Sequence, residues 1–288
     1  MYETETAMVS VNRTEEPETA PMVECLEFSV NIQTIKAFVN ELSVLADECK
    51  IKVDPIDGLS VRLVDPAHIA MIDTGMAIEL FDAWSIRPSN AYVGEFGIDL
   101  EKLQKYLKAF KAKDRDEILR VKVDMEKHRM TIEGPTGSRD LSLIDTTGMS
   151  DPKIPNLDLP TEIAIKDAKL FKGALKMASE ISAHIRLRFN ASESTLWIEC
   201  ENDMDKMSSK LEVEVIKSEY STIYRTVNGI RERIETQNSQ SLFPLEYLAD
   251  MTKDLPNGFK LCLGCDYPLR VSHGKTVKLL APRIESDD

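Results

Sequence analysis

Two stretches of this chain follow one plan, and that repetition limits the folds open to it. FSVNIQTIKAFVNELSVLA, from Phe28, and IAIKDAKLFKGALKMASEI, from Ile163, each pass from a strand-like run through a capping residue into an amphipathic helix. Asn31 caps the first and Asp167 the second. In the first helix Ile32, Ile35, Phe38, Val39, Leu42, Leu45 and Ala46 form a buried stripe, and this spacing predicts a helix running to about Cys49. Its other face is only weakly basic, with Lys36 and Lys50. Two copies of a strand-and-helix plan predict a pseudo-duplicated protein.

The remainder of each copy supports that division. After the first helix come the β-like runs IKVDPI, LSVRLVD and HIAMIDT, then MAIELFDAWSI and AYVGEFGI, a second helix capped by Asp99, and the strands EILRVKV, RMTIEG and SRDLSLI. The stretch DTTGMSDPKIPNLDLP, with three prolines and no period, reads as an extended connector. After the second copy of the strand-and-helix plan follow HIRLRFN, TLWIEC, MSSKLEVEVI and a last helix, PLEYLADMTKDL, with Pro244 in its first turn. The predicted organisation is a disordered acidic leader at 1–23, one unit at 24–144, a connector at 145–160 and a second unit at 161–288. Met22 is a candidate second start site, since a chain beginning there opens directly on a strand.

Charge is the next constraint. Asp and Glu outnumber Lys and Arg by 49 to 36, a formal net charge of −13, so the molecule as a whole repels nucleic acid unless its cations are segregated. One helix segregates them. In DLEKLQKYLKAFKAK, Leu100, Leu103, Tyr106, Leu107 and Phe110 fall on one arc, and Lys102, Lys105, Lys108, Lys111 and Lys113 fill the other. A solvated lysine face and a surface that meets a polyanion both fit this helix alone. Lys169, Lys172 and Lys176 on the third helix and Lys253 on the last repeat the arrangement, which favours the polyanion.

Other classes find little support. No stretch is long and apolar enough to span a bilayer and no secretory pattern opens the chain, so a cytoplasmic protein without membrane contact is expected. The five cysteines are scattered; Cys262 and Cys265 form C-x-x-C, but within a strand and turn and with no second pair to complete a metal site. H-E-x-x-H, G-x-S-x-G and a complete phosphate loop are absent, and HGKT at His273 lacks the upstream glycine and following helix. No catalysis, metal or cofactor is expected.

The last third carries a specific likeness. SLFPLEYLADMTKDLPNGFKLCLGCDYPLRV, and Leu280-Ala281-Pro282-Arg283-Ile284 near the end, closely resemble the C-terminal part of the archaeal and eukaryotic DNA sliding clamps, the proliferating cell nuclear antigen (PCNA) family. LVDPAHIAMIDTGM and LFDAW resemble that family's first domain, so the resemblance runs from about Glu24 to the end. It implies an α+β DNA-clamp fold of two similar domains, each with two inner helices packed on antiparallel β-sheet, forming a homotrimeric ring around double-stranded DNA. Lys36, Lys102, Lys105, Lys108, Lys172, Lys176 and Lys253 would then contact phosphates from the inner helices without reading sequence.

The resemblance also implies a front-face pocket for partner peptides, built from Val64, His68, Ile69, Met71, Ile154, Pro155, Pro268, Ala281 and Pro282. On residue type alone His68 reads as an ordinary strand histidine, and its setting in DPAHIA is what places it in the pocket. The implied partners are DNA polymerase, a clamp loader, flap nuclease, ligase and other proteins bearing such peptides, with the clamp at the nucleoid, or in the nucleus of a eukaryote. Subunits would meet through edge strands holding Ser138, Arg139, Leu141 and Leu143 on one side and Lys206, Ser208 and Lys210 on the other, with Asp140 and Asp205 available for ion pairs. A subunit of a heteromeric clamp and a monomeric clamp-like scaffold are the alternatives. Two departures from the family stand out: residues 218–241 are longer than the usual connection and are read as holding a charged, helical piece, and VSHGKTVKLL makes a very short final hairpin.

Overall fold

The computed structural model describes residues 22–110, 117–227 and 230–283. Its first half runs β1 (Met22–Asn31), α1 (Ile32–Leu42), β2 (Glu48–Asp54), β3 (Gly58–Val64), β4 (Ala70–Met76), β5 (Phe81–Val93), β6 (Glu95–Asp99), α2 (Leu100–Ala109), β7 (Ile118–Asp124), β8 (Arg129–Gly134) and β9 (Gly137–Ser142). Its second runs β10 (Thr161–Ile165), α3 (Ala168–Ala178), β11 (His184–Asn190), β12 (Thr195–Glu201), β13 (Lys206–Ser218), β14 (Ser221–Val227), β15 (Ile230–Thr236), β16 (Ser239–Pro244), α4 (Leu245–Thr252), β17 (Lys260–Leu263), β18 (Leu269–His273) and β19 (Thr276–Leu280).

The antiparallel pairings of one half recur in the other. β1 lies between β5 and β7, and β10 between the second part of β13 and β17. β2 lies between β3 and β6, and β11 between β12 and β16. β4 pairs with β3 as residues 206–212 of β13 pair with β12. The hairpins β7–β8–β9 and β17–β18–β19 correspond, and the isolated bridge Gly97–Ile144 has its counterpart in Leu242–Arg283. The halves join where β19 pairs with β4, setting Leu280 opposite Ala70 and Val277 opposite Asp73. One twelve-stranded sheet therefore crosses the junction, while β5-β1-β7-β8-β9 forms a separate five-stranded sheet ending on β9.

α1, α2 and α3 begin where their caps place them. Asn31 Oδ1 accepts the Gln33 N–H at 2.8 Å, Asp99 Oδ1 accepts the Lys102 N–H at 2.7 Å, and Asp167 Oδ1 accepts those of Lys169 and Leu170 at 2.9 and 3.0 Å. α1 stops at Leu42, well short of Cys49. The Ser43 hydroxyl bonds back to the Val39 carbonyl at 2.8 Å, Leu45 reaches the core from the following turn, and Glu48 and Cys49 are drawn into β2 by pairing with β6. Lys50 accordingly lies on a strand rather than on the helix. Ser221–Val227 and Ile230–Thr236 pair as the antiparallel strands β14 and β15 rather than forming a helical piece. The final hairpin is as short as its sequence implies, with His273 opposite Thr276.

Candidate functional site

The helices form a row in the order α2, α1, α4, α3. α1 packs on α2, where the Gln104 amide donates to Asn40 Oδ1 at 3.1 Å, and α3 packs on α4. Between α1 and α4 lies a crevice of about 290 Å³ lined by Thr34, Ala37, Glu41, Asp250, Asp254 and Lys278.

The lysines on this row divide into two kinds. Lys36 and Lys172 occupy the same position in the two halves, five residues after Asn31 and Asp167, and are half-buried. Lys36 Nζ donates to the Phe110 carbonyl at 2.9 Å and Lys172 Nζ to the Leu255 carbonyl at 2.8 Å. Each amine satisfies a carbonyl at or just beyond the C-terminal end of the neighbouring helix, the C-cap Phe110 of α2 and Leu255 past the end of α4. Lys102, Lys105 and Lys108 on α2, Lys169 and Lys176 on α3, and Lys253 at the end of α4 are exposed. Lys105 Nζ bonds Glu101 Oε1 at 2.6 Å, which holds its pKa above the ordinary lysine value. Lys253 stands among exposed Glu246, Asp250 and Asp254, so the open side of α4 is net acidic. Lys111 and Lys113 lie outside the described residues.

A second group of predicted residues gathers at the β19–β4 seam. Met71 pairs with Val64 on one side and Leu279 on the other, and the Ala281 N–H donates to the Ile69 carbonyl at 2.8 Å. Met71 is 8% exposed, whereas Val64, Ile69, Pro268, Ala281 and Pro282 are half-buried. His68 is exposed at the tip of the β3–β4 turn with φ 57°, a left-handed conformation that the turn imposes. Ile154 and Pro155 lie exposed on the connector, which is tied to the first half by a Lys52–Asp151 ion pair and to the second by Lys217 Nζ to Asp158 Oδ1 at 3.4 Å.

The residues that build this seam escaped sequence reasoning. Asp65 is buried at 3% exposure; its carboxylate accepts the N–H groups of Ala67, Ile69 and Ala70 at 3.1, 2.7 and 2.6 Å. The Tyr247 hydroxyl, from α4 in the other half, donates to it at 2.9 Å. Burial alone raises its pKa, but the bonds from Ala70, Tyr247, Ala67 and Ile69 outweigh that and hold the carboxyl below the usual range. Nearby, buried Lys278 donates to the Met251 carbonyl at 2.7 Å and pairs with Glu41 Oε1 at 2.9 Å, joining β19, α4 and α1. One signal was visible: TVKLL places a lysine amid apolar strand residues, where a buried, paired cation is the alternative to a solvated one.

The edge strands carry the third group. On β9, Ser138 and Arg139 are exposed, Leu141 is buried, and Leu143 just beyond is half-buried. Arg139 lies 5.4 Å from the Tyr106 ring, and Asp140 accepts from Arg129 at 3.1 Å and Thr131 at 2.7 Å. On β13, Lys206 pairs with Glu201 at 3.0 Å, Ser208 is exposed, and Lys210 pairs with Glu193 at 3.1 Å over the Trp197 ring. Lys210 thus finds its partners within its own half.

Among the described residues no group of three or more His, Cys, Asp or Glu side chains is placed to hold a metal. Cys262 is buried in β17, and burial pushes the Cys49 thiol up to about 12, so neither is a reactive thiolate. No described helix is long and apolar enough to cross a membrane.

This architecture is that of the DNA clamps. The structure of A. fulgidus PCNA with the C-terminal region of FEN-1 bound superimposes with a TM-score of 0.72 and 24% identity, covering 91% of this chain and all of that one. PCNA from Thermococcus kodakaraensis gives 0.72 at 19% identity over 90% of this chain. No family model matches the sequence. Among curated proteins, the DNA polymerase sliding clamp of Methanocella arvoryzae is 31% identical over 268 residues, spanning 90% of this chain and 98% of that relative. That of Methanosarcina barkeri is 32% identical over 270 residues, with the same coverage. The chain belongs to the DNA polymerase sliding clamp family.

Proposed function

We propose that this clamp encircles duplex DNA as a homotrimer and tethers replication and repair enzymes to it, without catalysis or a cofactor of its own. The observation that carries the ring is a pair of open edges. β19 of the second half closes on β4 of the first, but among the described residues the corresponding strands, β9 and residues 206–212 of β13, have no strand on their outer sides. Open edges invite pairing, and a chain cannot close both on itself. Head-to-tail pairing of successive copies closes a ring, and three copies supply six repeats of the unit, residues 24–144 and 161–288 in each.

The exposed lysines Lys102, Lys105 and Lys108 of α2 and Lys176 of α3 are the phosphate-facing set. Lys36 and Lys172 act indirectly, by holding paired helices together. Such contacts carry no sequence information, and in a protein of net charge −13 they are weak, which suits sliding. Retention is topological. The seam around Val64, Ile69, Met71 and Ala281, with His68, Ile154, Pro155, Pro268 and Pro282, receives the peptides of DNA polymerase, clamp loader, flap nuclease and ligase. An apolar patch edged by strand and connector suits an extended peptide with apolar anchors.

The test is processive synthesis by a cognate polymerase on primed circular DNA with a clamp loader present. The clamp raises product length, Ile69→Asp with Ala281→Asp abolishes the gain while leaving assembly intact, and linearising the template lets the clamp run off. Equal stimulation by the double variant would move the partner site elsewhere.

A further inference from the structure

We infer that Arg270 is the residue of the seam that selects among partner peptides: its guanidinium takes the carboxylate of an Asp or Glu standing one or two residues from the peptide's apolar anchor. This rests on the peptide-tethering reading above.

Strand register puts Arg270 beside the anchor site. On β18 it stands opposite Leu279 of β19, Leu279 stands opposite Met71 of β4, and Met71 opposite Val64 of β3. Residues directly opposite one another share a face of the sheet. Their alternate neighbours Leu63, Ile72, Leu280 and Val271 lie in the core shared with the helices, so Val64, Met71, Leu279 and Arg270 form one row on the outer face, at about 4.8 Å per strand. From Val64 to Leu279 the row is apolar, and Arg270 is the charge that borders it. Beyond Arg270 the row continues through Cys262 of β17 and Glu162 of β10 to Lys217 of β13, where Asp158 ties down the end of the connector.

Arg270 differs from five other cations on that face in having no acid of its own. Lys50 pairs with Glu95 at 3.6 Å, Arg62 with Asp73 at 3.3 Å, Lys260 with Glu162 at 3.0 Å, Lys217 with Asp158 at 3.4 Å, and Lys52 with Asp151. Among the described residues Arg270 meets no carboxylate in this way. Its guanidinium is half-buried, and its hydrogen bond runs from Nη2 to the Cys262 Sγ at 3.2 Å. A thiol is a weak acceptor. Burial holds the Cys262 pKa above the ordinary thiol value in spite of Arg270, so the thiol stays neutral near pH 7 and does not balance the guanidinium. Glu162, two strands along the row, is engaged by Lys260.

A cation partly withdrawn from water and left without a counter-charge gains from an anion that arrives from outside. The donors that Cys262 does not use keep the planar fork that matches a carboxylate. An extended peptide advances about 3.3 Å per residue, so a residue one or two positions from an anchor over Leu279 spans the single strand step to Arg270. Water excluded by the anchor strengthens the pair. The seam therefore ranks peptides of equal apolar content by the charge beside their anchor.

The test is fluorescence anisotropy with the full-length clamp and labelled synthetic peptides, each with an Ile and Phe anchor and with Glu, or its Gln twin, at each of the two positions on either side. At one of these positions the Glu peptide binds about tenfold more tightly than its twin, and the preference shrinks as salt is added. Arg270→Gln abolishes the preference and leaves affinity for the Gln twin unchanged. Arg270→Glu transfers the preference to a Lys twin, a rescue that a packing role does not produce. Equal weakening of both twins by Arg270→Gln, or a wild type that binds Glu and Gln peptides alike at every position, overturns the assignment to Arg270 and leaves the seam standing. Binding of none of these peptides to the wild type, or binding undiminished by Ile69→Asp with Ala281→Asp, overturns the seam itself.

Discussion

At the scale of the residue, the side chains that hold the clamp together are polar. Asp65 organises the β3–β4 turn with three backbone bonds and ties it to α4 through Tyr247. Bonds to a charged group are worth about 1.5–3 kcal/mol each, and leaving buried donors unmatched is costlier than losing the mean. Asp65→Asn should therefore cost roughly 2 kcal/mol in urea unfolding near neutral pH. The pH dependence has a definite sign: the folded carboxyl lies below its unfolded value of about 3.9, so its contribution is complete above about pH 4 and lost as pH falls through the folded value. The variant and the wild type should converge in acid; a constant difference down to about pH 2 would assign the loss to packing instead. Sequence spacing placed Lys36 and Lys172 on the right helices but gave no sign that their amines fold back onto carbonyls, because helical period fixes where a side chain starts and not where a flexible one ends.

At the scale of the element, the seam between halves depends on a buried ion pair. Lys278 is 6% exposed and pairs with Glu41, with Thr74 and Thr276 bonded at 2.7 Å beside them. Removing one partner leaves a buried charge uncompensated, so Glu41→Ala should cost roughly 3 kcal/mol, while Glu41→Leu with Lys278→Met should recover most of it. Thermal or urea midpoints for the two variants check this; a double variant no more stable than Glu41→Ala would mean the pair is not the unit. The β14–β15 hairpin is a sheet of its own, so replacing 221–236 by a short turn should change unfolding stability by less than about 1 kcal/mol. A larger loss would reveal packing against the body of the clamp. The elements misread from sequence share one cause. Ile230 and Ile234 fit a helical period and a strand alternation equally, and Leu45 and Cys49 continue the α1 stripe although the chain has already turned. Pairing with the neighbouring strand β14 decided the first case and pairing of β2 with the distant β6 the second, and helical period contains neither. The caps were legible because Asn31, Asp99 and Asp167 act within three residues of themselves.

At the scale of the whole molecule, duplication is what the sequence shows most plainly, since two copies of one local pattern are visible without any long-range knowledge. The continuity of the sheet across β19 and β4, and the two edges left over, become visible only when the strands are in place. The charge distribution likewise needs the fold: a chain of net charge −13 contacts DNA only if its lysines share a surface, and the helix row collects them on α2 and α3. These features support the proposed ring of three chains. The most direct test is the solution mass of the full-length protein by light scattering over a concentration series. A species at three times the chain mass, persisting on dilution towards micromolar protein, is the predicted result; a monomer at every concentration would contradict the closed ring and leave the clamp fold without a hole to thread.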